Sequence, residues 1–429
     1  MRLSVTVPLV TLGSVSLFAV ALASPSSSAV AGAAACSHAQ PSVSSTEASR
    51  LAQPTSASDP RPLGESLGEG ISAAIRSLEP LDATGRPKSG LPYGLSQGVV
   101  GVVGSAASGY EVVVDSANVD AKKYQSAMAR NLPAAGKQMV KVEHSCRSAQ
   151  AIADTWRTVG KRAWSGDAAR TTFSADLDPS SENVVVEYDQ ATTSPAALAG
   201  LRGLSGVQLV AGSLARTSRL SDTPKGGHWG GARITSALKN CSAGFSVVRR
   251  SNGQRGSVTA GHCGAPGTAW KSGTNYYGTT TVRTNYPDYD QSLVTGSSYG
   301  PKIWTDGPGD TANTRTVTGG GDPGVGTVVC QSGSFSTSVC NLTVRSTSAS
   351  YCDTDGCTTY VIRATRGGLV AIIGGDSGGP VYSRRGSSSA TIRGIAFAGA
   401  GCAASRCTTL YAERYNSIAG HLGVTALTG

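Results

Sequence analysis

From about residue 232 onward one pattern repeats: short β-branched runs broken by glycine-rich turns. Residues 245–248, 279–283, 326–330 and 360–364 are the clearest runs. Each is too short for an ordinary helix, and Gly, Ser or Asn stands near its ends. Such runs leave their backbone groups unpaired unless strand lies beside strand, which predicts an all-β sandwich or barrel. The 55 glycines and the low charged fraction of 15% fit many tight turns. Only residues 412–422 look helical again, and that tail is expected to close the chain without a further binding module.

The first half reads differently. Residues 121–130 and 148–159 have helical spacing, whereas 98–103, 110–114 and 183–188 read as strands, so a smaller mixed α/β unit is expected there. Residues 24–62 are rich in Ala, Ser and Pro and are expected to be disordered. A glycine-rich linker follows at 221–231. The resulting division is 1–23, 24–62, 63–221 and 222–429. Met1-Arg2, an apolar stretch over residues 9–23 and the small residues Ala21-Leu22-Ala23 form a secretory signal, too short and wrongly flanked for a membrane span. Ala33-Ala34-Ala35-Cys36 lacks the large aliphatic residue that a lipidation box carries three positions before its cysteine.

Ten cysteines in an exported chain imply disulfides, and the Cys-x-x-Cys pairs or clustered histidines that a metal would require do not occur. The net charge is +10. Residues 222–429 hold 18 Lys plus Arg against 10 Asp plus Glu. The arginines are scattered singly among Gly, Ser and Thr, which speaks for a solvated basic surface and against nucleic acid as a partner.

Three segments of the β-rich half carry chemistry. Thr259-Ala-Gly-His262-Cys263 offers an imidazole, the group able to take a proton and return it near neutral pH. Asp288-Tyr-Asp290-Gln-Ser-Leu-Val294 offers the carboxylate that fixes such an imidazole. Asp290 is favoured over Asp288, because a small residue and then Leu293-Val294 follow it. Gly374-Gly375-Asp376-Ser377-Gly378-Gly379-Pro380 offers a serine nucleophile among glycines that let backbone N–H groups turn inward. The amides of Gly375 and Ser377 are the candidate oxyanion donors. Read together, the three segments predict a serine endopeptidase acting through an acyl-enzyme on Ser377. The competing reading is a catalytically silent relative that binds proteins or polymers with the same barrel.

The motifs around His262 and Ser377, the His–Asp–Ser order and the domain size resemble the chymotrypsin-like serine proteases. Among them the secreted bacterial branch of streptogrisins and alpha-lytic protease is most similar. The resemblance covers about residues 222–429. It implies two antiparallel six-stranded β-barrels with the catalytic groups between them, no cofactor, protein or peptide substrates, and a secreted, extracellular, monomeric enzyme. The segment before it resembles the family's pro-region, a partner that assists folding and is then removed, with maturation expected between residues 212 and 232. The resemblance also implies a Cys241–Cys263 bridge and a Cys330–Cys340 hairpin bridge. Cys352, Cys357, Cys402 and Cys407 allow three connectivities, with local pairing favoured, and Cys36 and Cys146 remain for the first half.

Several positions depart from the family pattern. Ile373 stands where a cysteine is usual, and Gln331 stands where an arginine pairs with the Asp before the nucleophile. Asp376 therefore requires another cation or a hydrogen-bonded site. Phe397 replaces a serine that supports the catalytic aspartate. Ala371, with Ala398 and Gly399 on the rim of the substrate pocket, leaves no acidic anchor for Lys or Arg, so an apolar P1 residue is expected.

Overall fold

A computed structural model describes residues 37–429 except 57–60, 84, 191–192, 213–226, 306–309, 311 and 404. The expected signal, Cys36 and most of the expected maturation window lie outside the described residues. No helix among the described residues is long and apolar enough to cross a membrane.

The β-rich half forms two barrels. In the first, strands Arg255–Thr259, Ser292–Thr295, Asn275–Arg283, Ala269–Ser272, Arg233–Thr235 and Asn240–Ser242 follow one another through the sheet. Asn240–Ser242 leads directly into Ser246–Arg249, which pairs back with Arg255–Thr259, so the sheet returns on itself. In the second, Arg406–Arg414, Gly356–Thr365, Thr337–Asp353, Val328–Gly333, Pro380–Arg385 and Ser389–Ala403 pair in that order, all antiparallel. Ser389–Ala403 then pairs with Arg406–Arg414 and closes the ring. Closure removes the exposed edges that such short strands would otherwise present. Apolar side chains alternate inward, with Trp270, Tyr277 and Phe397 in one core cluster and Phe245, Leu293 and Tyr382 in another. The expected helix over 412–422 begins later: the chain stays in strand through Arg414, and the helix is Tyr415–His421. The alternation Leu410-Tyr411-Ala412 completes the barrel and outweighs local helical spacing.

Residues 37–212 form α/β structure. Helices Leu63–Leu78 and Ala121–Asn131 pack beside a sheet of Val99–Ser105, Gly109–Val114 and Val140–His144. A second sheet of Phe173–Asp178, Asn183–Asp189 and Val207–Gly212 carries helices Ala149–Gly160 and Pro195–Arg202. Within the stretch expected to be disordered, Ser45–Ala52 forms a helix. Its N-terminus is a capping box between Ser44 and Glu47, and Leu51 is buried in the core. The second sheet joins the second barrel, since Phe173, Ser174 and Ala175 pair antiparallel with Cys352, Tyr351 and Ser350.

Four disulfides tie the β-rich half: Cys241–Cys263, Cys330–Cys340, Cys352–Cys357 and Cys402–Cys407. The last two resolve the open connectivity in favour of local pairing, each across a hairpin in which the two cysteines are register partners. Cys146 is also disulfide-bonded.

Candidate active site

His262 lies in a one-turn 3-10 helix, Gly261–Cys263, at the end of strand Arg255–Thr259. Asp290 begins the run into strand Ser292–Thr295, which is the neighbour of Arg255–Thr259 in the sheet. That register brings the two residues together. Asp290 Oδ2 is 2.8 Å from His262 Nδ1, and Oδ1 accepts the backbone N–H of His262 at 2.7 Å. The carboxylate is fully buried and the imidazole nearly so. A double contact of this kind sets both the tilt of the ring and its tautomer, leaving Nε2 as the free acceptor. Asp288 is not part of this arrangement: its carboxylate accepts from Asn285 Nδ2 at 2.7 Å.

Ser377 sits in the glycine-rich turn that leads into strand Pro380–Arg385. Gly375 and Gly378 have φ of +99° and +92°, and a Cβ at Gly378 would lie 2.2 Å from Ser242 O and Thr259 Oγ1. Only glycine fits at that point. Ser242, on the first barrel, anchors the turn: its N–H donates to Ser377 O and its hydroxyl to Gly375 O, both at 2.8 Å. Among the described residues, no acceptor meets the N–H groups of Gly375 and Ser377. Cys263 Sγ lies 4.0 Å from His262 Nε2 and 3.8 Å from Ser377 O, so base and serine flank the same disulfide. The Ser377 hydroxyl donates to Phe397 O at 3.4 Å rather than to the imidazole. In unliganded sites such contacts are commonly long and tighten only with substrate.

Asp376, expected to require another cation or a hydrogen-bonded site, has the latter. Its carboxylate accepts from the N–H groups of Ile373, Phe335 and Ser336 at 2.9, 3.1 and 3.0 Å, and from Gln331 Nε2 at 3.0 Å. Burial pushes its titration up, and these donors oppose the shift. Phe397 is buried edge-on against Tyr351. Ala371 and Ala398 are buried, and a Cβ at Gly399 would meet Cys407 and Ile372 at 2.7–2.8 Å. This wall is apolar and closely packed.

Sequence reading missed Ser242 and Glu413. Glu413 Oε1 accepts the N–H of Asp290 at 2.7 Å. Its signal was a charged Glu-Arg pair directly after the apolar run Leu410-Tyr411-Ala412.

A closed pair of antiparallel barrels bearing a buried Asp–His pair and a glycine-flanked serine defines the chymotrypsin-like class. No protein-family model matches the chain. Streptogrisin-C of Streptomyces griseus is 30% identical over 264 residues, which is 59% of this chain and 54% of that protein. The chain thus spans about half the length of the curated relative it matches. Protease A of Thermobifida fusca is 30% identical, covering 47% of this chain and 98% of that one, at a TM-score of 0.39. The Nocardiopsis protease NAPase is 26% identical with the same coverages and TM-score. In sequence the chain is thus similar to a bacterial serine protease of the streptogrisin type.

Proposed function

We propose that this chain is a secreted serine endopeptidase, made as a precursor whose residues 63–221 assist folding of residues 222–429 and are then removed. The observation that carries the reading is the double contact of Asp290 with His262 beside the Ser377 turn. In the proposed reaction His262 Nε2 takes the Ser377 hydroxyl proton as Oγ attacks the scissile carbonyl. The Gly375 and Ser377 N–H groups receive the oxyanion, a stabilisation of about 2.7–4 kcal/mol per donor in related sites. His262 then gives the proton to the departing amine. Water deacylates the ester by the same path in reverse, and Asp290 holds the imidazolium throughout. No cofactor enters these steps.

The wall of Ala371, Ala398 and Gly399 supports cleavage after apolar residues. The disulfides support an extracellular site of action, and the enzyme is proposed to act as a monomer. A silent binding protein is the second reading, favoured by the Ser377 hydroxyl lying on Phe397 O. A fluorophosphonate probe separates the two. The expressed chain should be labelled and its Ser377→Ala variant should not, with activity falling by several orders of magnitude. Equal labelling of both, or of neither, overturns the protease reading. A peptide-library profile dominated by cleavage after Lys or Arg overturns the apolar preference.

A further inference from the structure

Behind Asp290 the fold buries a second carboxyl. Glu413 is the single glutamate in residues 222–429, near the end of strand Arg406–Arg414, and 1% exposed. Its Oε1 accepts the Asp290 N–H at 2.7 Å, and its Oε2 accepts from Gln291 Nε2 at 3.3 Å and Ser417 Oγ at 3.4 Å. Gln291 Nε2 also donates to Ser417 Oγ at 2.7 Å, and both groups lie within 3.4 Å of His421 Nδ1. Two consecutive residues of the aspartate loop are therefore tied to one buried carboxyl and to helix Tyr415–His421.

Asp290 is held from its backbone side as well as through its carboxylate.

We propose that Glu413 is a positioning residue for the catalytic pair: through the Asp290 N–H it keeps both aspartate oxygens on His262, and its charge favours the imidazolium formed during proton transfer. The inference rests on the protease reading above.

The charged groups facing Glu413 come from four elements. They are Asp290 on the loop, Arg414 on the strand, His421 on the helix through Ser417 and Gln291, and Arg86 from the first half. The Arg86 guanidinium lies 3.7 Å over the Tyr289 ring and donates to Asp288 O at 2.7 Å. Burial raises Glu413 to about 7. The Asp290 N–H and Arg86 oppose that rise, the Asp290 charge adds to it, and Arg414 opposes it. Glu413 therefore changes charge over the range in which a histidine base also titrates.

The test uses the full chain, comparing wild type with Glu413→Gln. Expected for Glu413→Gln is a kcat lower by about tenfold with KM little changed, well short of the ~10⁴ loss on replacing the aspartate itself. The acid limb of kcat/KM should be steeper than one proton in the wild type. In the variant it should fall to one proton and move to lower pH, a change that a purely structural contact would not produce. Superimposable profiles overturn the proposal. If Glu413→Gln fails to fold, Ser417→Ala takes its place. It removes one donor from the carboxylate, so its acid limb should move to higher pH, and an unmoved limb overturns the proposal. The low-field proton resonance of the His262–Asp290 hydrogen bond requires no turnover. It should shift in Glu413→Gln even if fluorophosphonate labelling fails, so the two readings can fail separately; an identical resonance counts against Glu413.

Discussion

At the scale of single residues, the orientation of one imidazole decides what the site can do. Both oxygens of Asp290 are engaged by His262, through the ring and through its own amide, so an amide in place of that carboxylate would present a donor to Nδ1 and favour the wrong tautomer. Asp290→Asn is expected to lower kcat by roughly 10⁴ with the fold intact, whereas Asp288→Asn should leave kcat unchanged. Steady-state kinetics on the two variants checks this, and equal losses would remove the distinction between them. His262, Asp290 and Ser377 were legible because their immediate neighbours are constrained too. Gly378 has no room for a side chain, and the strand following Asp290 is buried throughout. Glu413 and Ser242 were not legible as site residues. Glu413 meets Asp290 across 123 positions of sequence, and the local Glu-Arg pair does not say which residue it meets.

At the scale of elements, the bridge between Cys241 and Cys263 joins the strand that anchors the Ser377 turn to the short helix bearing His262. It closes 22 residues, for which chain entropy gives a stabilisation of about 3 kcal/mol. Replacing both cysteines by serine should lower the unfolding free energy by that amount in urea titration. It should also weaken activity beyond what unfolding explains, because the bridge touches both His262 and Ser377. A variant of unchanged stability would exclude this account. Strands were the most readable elements, since period-two alternation shows within five residues. Helix Leu63–Leu78 was hidden by Gly64, Gly68 and Gly70, which lower helical propensity. The reason for them lies elsewhere in the fold: a Cβ at Gly68 would lie 2.5 Å from Tyr110 Oη and 2.6 Å from Val325 O. The helix at Ser45–Ala52 was masked by composition, although Ser44 and Glu47 have capping-box spacing.

At the scale of the whole molecule, the two halves share a sheet, a feature that no pattern within either half announces. Strand Phe173–Asp178 extends the second barrel at Thr337–Asp353, and Tyr411 Oη and Ser174 Oγ meet at 2.8 Å across the join. A template of this kind supports a folding role, so residues 222–429 expressed alone should yield little active enzyme; ready refolding without the first half would refute that. The same join carries buried charge. Asp176 lies 3.7 Å from Arg363, and burial raises its titration to about 6 despite the arginine. A carboxyl whose folded value lies above its unfolded one binds more protons when folded. Its contribution is fully present below the unfolded value of 3.8 and is lost as pH rises through about 6. Neutral Asn mimics the protonated form. Asp176→Asn should therefore gain stability relative to wild type at pH 7, and the difference should shrink steadily toward pH 4. Urea midpoints of the intact chain and the variant at a series of pH values measure it. A variant less stable than wild type at pH 7, with a deficit that shrinks on acidification, would mean that the ionised Asp176–Arg363 pair holds the halves together, and the join would then be strongest at neutral pH.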